Sequence, residues 1–193
     1  MEYPVVEIPV NSLVPIGVVT ASIIAGFFSF VSLVLAKEQK VSEFRQQWID
    51  SLREDLSQFI SKLMTMKDVK KNIALAKEKK QKPDFSLSDV KELHTAISEA
   101  YTRIILRLNP NDNCSYSKGL TESLNKINKL MKEKQWNEIS SGVEELRGLS
   151  QQVLKTEWTR VKEGEPTFKW SKRIAILMFT VAIGIAVFMF YNI

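Results

Sequence analysis

The stretch LVPIGVVTASIIAGFFSFVSLVLA, from Leu13 to Ala36, decides the fold because its 24 residues carry no charged side chain. The hydrocarbon core of a bilayer is ~30 Å thick, and roughly 20 apolar residues cross it as an α-helix. The stretch is therefore long enough to span a membrane. A cleavable signal peptide has basic residues before its apolar run, and no Lys or Arg precedes Lys37. We therefore expect an anchor that is retained.

A second uncharged stretch, Ile174 to Ile193, has 20 residues and predicts a second transmembrane helix. Two buried helices of a soluble protein are the alternative, but such helices rarely run this long without a charge. Basic residues lie on the inner flank of each stretch, and these are Lys37, Lys40, Arg45, Lys169, Lys172 and Arg173. Because Lys and Arg near span ends stay on the cytoplasmic side, we predict an inner-membrane protein with a cytoplasmic middle and both termini periplasmic.

Charge is confined to that middle region. All 27 basic residues and 20 of the 22 acids lie between Lys37 and Arg173, which gives this region a net charge of +7 within a chain of 193 residues and net charge +5. The single cysteine, Cys114, and the single histidine, His94, exclude an internal disulfide and a Cys/His zinc site. Phosphate-binding loops, nucleophile elbows and paired acids at metal spacing are missing from the sequence. We expect no catalytic, cofactor-binding or metal-binding residue, and no enzyme.

The middle region has apolar residues at helical spacing and no strand-like alternation. Ser86 to Asp89 predicts a capped helix start, and Asn109 to Asn113 predicts a turn. The predicted fold class is all-α, with two transmembrane helices flanking a cytoplasmic bundle of about four helices. The predicted domains are a short outer tail (1–12), a first transmembrane helix (13–36), the bundle (37–168), and an interfacial flank with the second transmembrane helix (169–193).

Between Met66 and Lys82 the sequence is strongly basic. Its seven lysines, here called the lysine run, face only Asp68 and Glu78, and they are Lys67, Lys70, Lys71, Lys77, Lys79, Lys80 and Lys82. A straight helix holds them some 45 Å beyond the membrane boundary, far outside a Debye length of ~8 Å. An acidic protein or a nucleic-acid-containing complex is therefore the predicted partner. The alternative is that these lysines lie on a solvated surface helix and bind nothing. This alternative is favoured because the segment has no aromatic residue on which a nucleic-acid base could stack.

Small residues form a stripe on the predicted spans. Ser22, Gly26 and Ser29 lie on one side of the first, and Ala182 and Ala186 lie on the second. Small residues let helices approach closely in lipid, so we expect helix packing here. The sequence favours packing between the two spans of one chain, and leaves open a homo-oligomer. Neither span contains an ionisable residue, which argues against ion-coupled transport.

Two sequence blocks carry a resemblance. KEQKVSEFRQQWIDSLRED (37–55) directly follows the apolar span, and YTRIILRLNPN (101–111) ends a predicted helix. Both are similar to blocks of a widespread group of small bacterial two-span membrane proteins. The architecture also resembles the membrane effectors of anti-phage systems, including retron-type systems, which implies a role in damaging the inner membrane upon infection.

The same two blocks predict a polar contact between antiparallel helices. Arg103, Arg107 and Asn109 are expected to meet residues of the first block, among them Arg45, Asp50, Arg53 and Asp55. Such a network favours a role in fixing helix register over ligand binding.

The sequence thus predicts a non-enzymatic membrane effector of anti-phage defence, released by a cytoplasmic partner to disrupt the lipid bilayer. The alternative is a membrane-anchored scaffold that recruits a soluble partner without perturbing the bilayer. A transporter subunit is a remote third.

Overall fold

The computed structural model describes residues 13–163 and 166–191, and all of its regular elements are helices. The predicted all-α class is therefore confirmed. The helices are α1 (Leu13–Glu78), α2 (Leu87–Arg107), α3 (Ser115–Lys132), α4 (Ile139–Glu163) and α5 (Pro166–Tyr191). The predicted outer tail, 1–12, lies outside the described residues.

The described residues form two compact units. The apolar unit comprises those within 1–44 and 161–193, and the bundle comprises Arg45–Arg160. Helix α1 contributes to both, because its 66 residues run without a break from Leu13 to Glu78. The sequence explains this continuity, since neither Pro nor Gly occurs between Phe27 and Lys82.

Helix α2 begins and ends at local sequence signals. Ser86 is the N-cap, and it forms a capping box with Asp89: the Asp89 N–H donates to Ser86 Oγ, and the Ser86 N–H donates to Asp89 Oδ2. Two backbone donors that the helix itself leaves unpaired are thereby satisfied. The helix stops before Pro110, as the predicted turn requires.

The bundle is four helical segments around one apolar core. Residues 45–78 of α1 supply Leu52, Leu56, Phe59, Leu63 and Met66, and helices α2, α3 and α4 each add a matching stripe. Ile97 and Ile104 of α2, Leu120 to Leu130 of α3, and Ile139 to Val153 of α4 complete it. The stripes recur every three or four residues, so burying them together removes one face of each helix from water.

Among the described residues, one helix is long and apolar enough to cross a membrane, and it is the α1 segment Gly17–Glu78. The second predicted span does not meet that measure. Helix α5 carries Lys169, Lys172 and Arg173 in its first turns. Its uncharged described part runs from Ile174 to Tyr191, and the last two residues of the predicted span, 192–193, lie outside the described residues.

Candidate functional site

A buried carboxylate links α1 to α2 in the bundle. The Asp55 side chain is only 7% exposed. Its Oδ1 accepts a hydrogen bond from Arg103 Nε at 2.7 Å, and its Oδ2 accepts one from Arg107 Nε at 2.6 Å. The indole N–H of Trp48 donates to the backbone oxygen of Arg107 at 3.1 Å. Four groups from two antiparallel helices thus fix their register.

This network keeps Asp55 ionised. Burial raises the pKa of Asp55, but hydrogen bonds from Arg107 and Arg103 outweigh burial and hold the pKa below its usual value. The same hydrogen bond raises the pKa of Arg103. A carboxylate that accepts bonds at both oxygens has little capacity left for a substrate proton, so the arrangement is suited to positioning helices.

The other residues predicted for this network lie elsewhere. Asp50 and Arg53 are exposed and pair with each other on α1 at 2.7 Å. Arg45 donates to Glu157 of α4 at 2.8 Å, so it joins α1 to α4 rather than to α2. The side chain of Asn109 accepts from the Asn111 N–H inside the turn. Of the α1 residues predicted for this network, Asp55 reaches the arginines of α2; Trp48 and Gln58 of α1, which were not predicted, also bond to α2.

The lysine run divides into two groups. Lys67 Nζ donates to Ser140 Oγ, and Lys70 Nζ lies 5.9 Å from the ring centroid of Trp136. Both are half-buried contacts with the α3–α4 region. The remaining lysines are exposed and form no ion pair within the described part of the chain, and they are Lys71, Lys77, Lys79, Lys80 and Lys82. No side chain of α1 beyond Val69 is buried, so helix α1 extends past the core here.

A second basic turn, which follows α3, was not predicted from the sequence. Lys132 ends α3 and Lys134 lies in the turn that follows; both are exposed and make no ion pair among the described residues. The contact of Lys70 with Trp136 brings this turn to the same end of the bundle as the lysine run. The sequence signal was only three lysines in six residues, which is common on any surface helix.

In the apolar unit, α1 packs against α5 through aromatic rings. Phe27 stacks on Phe179 with ring centroids 5.0 Å apart and an interplanar angle of 21°. The two helices also border an apolar cavity of about 1090 Å³, lined by side chains such as Ile23, Phe30 and Ala182.

The small-residue stripe of α1 lies partly beside that cavity, which Gly26 borders. Ser22, Gly26 and Ser29 are exposed, and a Cβ added at Gly26 meets nothing within 4 Å. The two serine hydroxyls bond to carbonyl oxygens one turn earlier, those of Val18 and Ala25. Packing of this stripe within one chain stays a prediction: Gly26 borders the cavity between α1 and α5, while the closest ring contact between the two helices is that of Phe27. Ala182 is half-buried, and Ala186 lies outside the described side chains.

Chemistry-bearing residues are sparse in the described ranges. No group of three His, Cys, Asp or Glu side chains there has metal-binding geometry. The exposed His94 borders a shallow cavity of about 290 Å³ between α2 and α3, with Tyr101 and Asn128 beside it. Comparisons with family models, with curated proteins and with solved structures gave no match.

Proposed function

We propose that this chain is a non-enzymatic effector of the bacterial inner membrane, of the kind that serves anti-phage defence. In this proposal α1 and α5 both cross the bilayer, and the bundle lies in the cytoplasm with both termini in the periplasm. A cytoplasmic partner holds the bundle in a quiet state, and its release lets the apolar helices disrupt the membrane.

Membrane insertion is supported by α1 and by the charge distribution. The α1 segment from Gly17 onward has the length and composition of a span. Helix α5 supplies 18 uncharged described residues after Arg173, within the range of roughly 17–25 residues that crosses a bilayer as a helix. Trp170, which is 66% exposed, is of the residue type that favours the membrane interface.

The observation that carries the effector role is the exposed small-residue face of α1. Uncharged helices cannot line a polar path as a single pair, so damage requires several copies to associate. A Cβ at Gly26 meets nothing within 4 Å although Gly26 borders the α1–α5 cavity, and Ser29 is exposed; small residues allow the close approach of a helix from another copy.

Dye entry into expressing cells tests this role. We expect cells making the original protein without its partner to admit a membrane-impermeant dye. Gly26→Leu with Ser29→Leu should abolish most of that entry and reduce crosslinked oligomers in parallel, since leucine holds neighbouring helices apart. Ala21→Leu, which adds bulk at another exposed position of α1, is the matched control and should keep both. Full dye entry with crosslinking lost would refute oligomer-dependent damage.

A second candidate function, a membrane-anchored scaffold, is favoured by the exposed lysines of the bundle. They offer a docking surface that needs no change in the membrane. The two functions separate on one result: a scaffold predicts no dye entry from the original protein at any expression level.

A further inference from the structure

Helix α1 ends in a Schellman motif. The Gln81 N–H donates to the Ala76 carbonyl oxygen at 2.9 Å, and the Lys80 N–H donates to the Lys77 carbonyl oxygen at 3.2 Å. The first bond joins residues five apart and the second joins residues three apart. Together they satisfy carbonyl oxygens that the helix end leaves unpaired.

Helix α3 ends in the same way. The Gln135 N–H donates to the Leu130 oxygen at 2.9 Å, and the Lys134 N–H donates to the Met131 oxygen at 3.2 Å. Both motifs therefore place the dipeptide Lys-Gln at corresponding positions, one in the α1–α2 turn and one in the α3–α4 turn. We call the end of the bundle formed by 67–84 and 129–138 the basic end.

Lysine occupies the left-handed position of both motifs. Lys80 has φ 53° and Lys134 has φ 60°, and they are the two non-glycine residues of the described chain with positive φ. Glycine is the usual residue there because a Cβ is strained in this conformation. The attraction of a cation to the helix C-terminus is of similar size to that strain. The stability of the helix end therefore does not favour lysine over glycine. Because lysine nevertheless occurs at both positions, we infer that the two lysine side chains have a binding role.

The tertiary structure places the two turns at the same end of the bundle. The contacts of Lys67 with Ser140 and of Lys70 with Trp136 hold the α3–α4 turn and the start of α4 beside residues 67–70 of α1, about 15 Å before Lys80 along the helix axis. The basic end holds ten lysines and five acids, an excess equal to the net charge of the whole chain, +5. Asp89, on the neighbouring start of α2, is occupied by its capping box with Ser86.

The basic end contains lysine and no arginine, a composition that suits a phosphate backbone. Every cation of the basic end is a lysine, whereas the buried carboxylates of the bundle, Asp55 and Glu157, are held by arginines. The rigid fork of arginine matches carboxylates and phosphates alike, whereas lysine binds phosphate as a point charge without directional demand, so a lysine surface accepts phosphates in any orientation along a backbone. Trp136 is half-buried and covered by Lys70, so no described ring of this surface is free to stack on a base.

We propose that the basic end binds the phosphate backbone of duplex nucleic acid without reading its sequence, with Lys80 and Lys134 as paired contacts. The identification of this nucleic acid as the cytoplasmic partner rests on the proposed function. Binding itself requires no membrane damage, so it succeeds or fails independently of the effector role.

The test is fluorescence anisotropy with the full chain in nanodiscs of zwitterionic lipid and a random-sequence duplex of about 20 base pairs. We expect binding at about 50 mM salt that weakens steeply toward 200 mM. In Lys80→Gly with Lys134→Gly, affinity should fall on the order of tenfold and the salt slope should shrink by about 2. The melting temperature should meanwhile stay within roughly 2 °C of the original, because the strain that glycine relieves is offset by the lost attraction of the cation to the helix end, and this excludes misfolding as the cause.

Lys118→Gln with Lys155→Gln is the control, because it removes two exposed lysines of α3 and α4 outside the basic end. We expect it to bind like the original protein. Absence of duplex binding by the original protein at low salt would overturn the proposal, as would equal binding by the glycine variant. Displacement of the duplex by poly-glutamate as readily as by unlabelled duplex would overturn the assignment to phosphate and indicate an acidic protein instead.

Discussion

Arg107 and Asp55 lie 52 residues apart in the chain, and Arg107 Nε donates a hydrogen bond to Asp55 Oδ2 at 2.6 Å. Arg103, one helical turn earlier, donates to the other oxygen of the same carboxylate. One acid of α1 is thereby held between two bases of α2. Sliding α2 by a single turn would remove one arginine and leave a buried oxygen unpaired, so the pair fixes the register of the two helices.

Removing this carboxylate should destabilise the bundle. We expect Asp55→Asn to lower the free energy of unfolding by about 2 kcal/mol, less than the loss for a wholly buried pair because both arginines are about one-third exposed. Urea unfolding of the full chain in detergent measures it. Asp50→Asn, in an exposed pair with Arg53, is the control and should stay within ~0.5 kcal/mol of the original. Equal losses in both would show that Asp55 has no special role.

The same carboxylate predicts a pH dependence of stability. The folded-state pKa of Asp55 is lowered from its ordinary value. Its contribution is therefore complete above the unfolded pKa of about 3.9 and is lost as the pH falls through the folded pKa. We expect the stability difference between the original protein and Asp55→Asn to be constant near neutral pH and to shrink toward about pH 3. A difference that grew on acidification would contradict the sign.

Two glycines of α4 offer a matched test of core packing. A Cβ at Gly142 would lie 3.1 Å from Ile127 Cγ1, whereas one at Gly148 meets nothing within 4 Å. Gly148→Ala should raise the free energy of unfolding by about 0.5–1 kcal/mol through helix propensity. In Gly142→Ala the contact with Ile127 should cancel that gain or reverse it. Equal stabilisation of both variants would place Gly142 outside the packed core.

The stack of Phe27 on Phe179 should appear as a coupling energy. In a double-mutant cycle with Phe27→Ala and Phe179→Ala, we expect about 0.5–1.5 kcal/mol of interaction between the rings. Reversible unfolding in mixed detergent micelles gives the four stabilities. The cycle that pairs Phe30→Ala with Phe179→Ala should be additive, because Phe30 is 45% exposed and no ring contact joins it to Phe179. Additivity in both cycles would contradict the stack.

The proposed topology makes a direct prediction for reporters. Because the basic flanks lie on the inner sides of both apolar helices, a reporter active only in the periplasm should work after Ile193. Inserted at Asn111, in the exposed α2–α3 turn, it should be inactive. The reverse pattern would invert the orientation and remove the case for a cytoplasmic partner.

Local physics explains what was predictable from the sequence. The uncharged run to Ala36, the capping box of Ser86 and Asp89, and the turn before Pro110 each depend on residues within a few positions. Apolar spacing likewise predicted a helical middle region, since a helix repeats the direction of its side chains every three or four residues. Helical class and turn positions therefore needed no knowledge of packing.

Tertiary structure decided everything that depends on the rotation and translation of one helix against another. Periodicity offered Asp50 and Asp55 equally to the arginines of α2, and only packing of the whole core turned Asp55 inward. Likewise, the rotation of α1 that stacks Phe27 on Phe179 leaves Gly26 and Ser29 exposed, and the antiparallel order of four helices unites Lys80 with Lys134 at one end. These relationships are set by the fit of many side chains distant in sequence, because shape complementarity in a close-packed core is a property of all its members together.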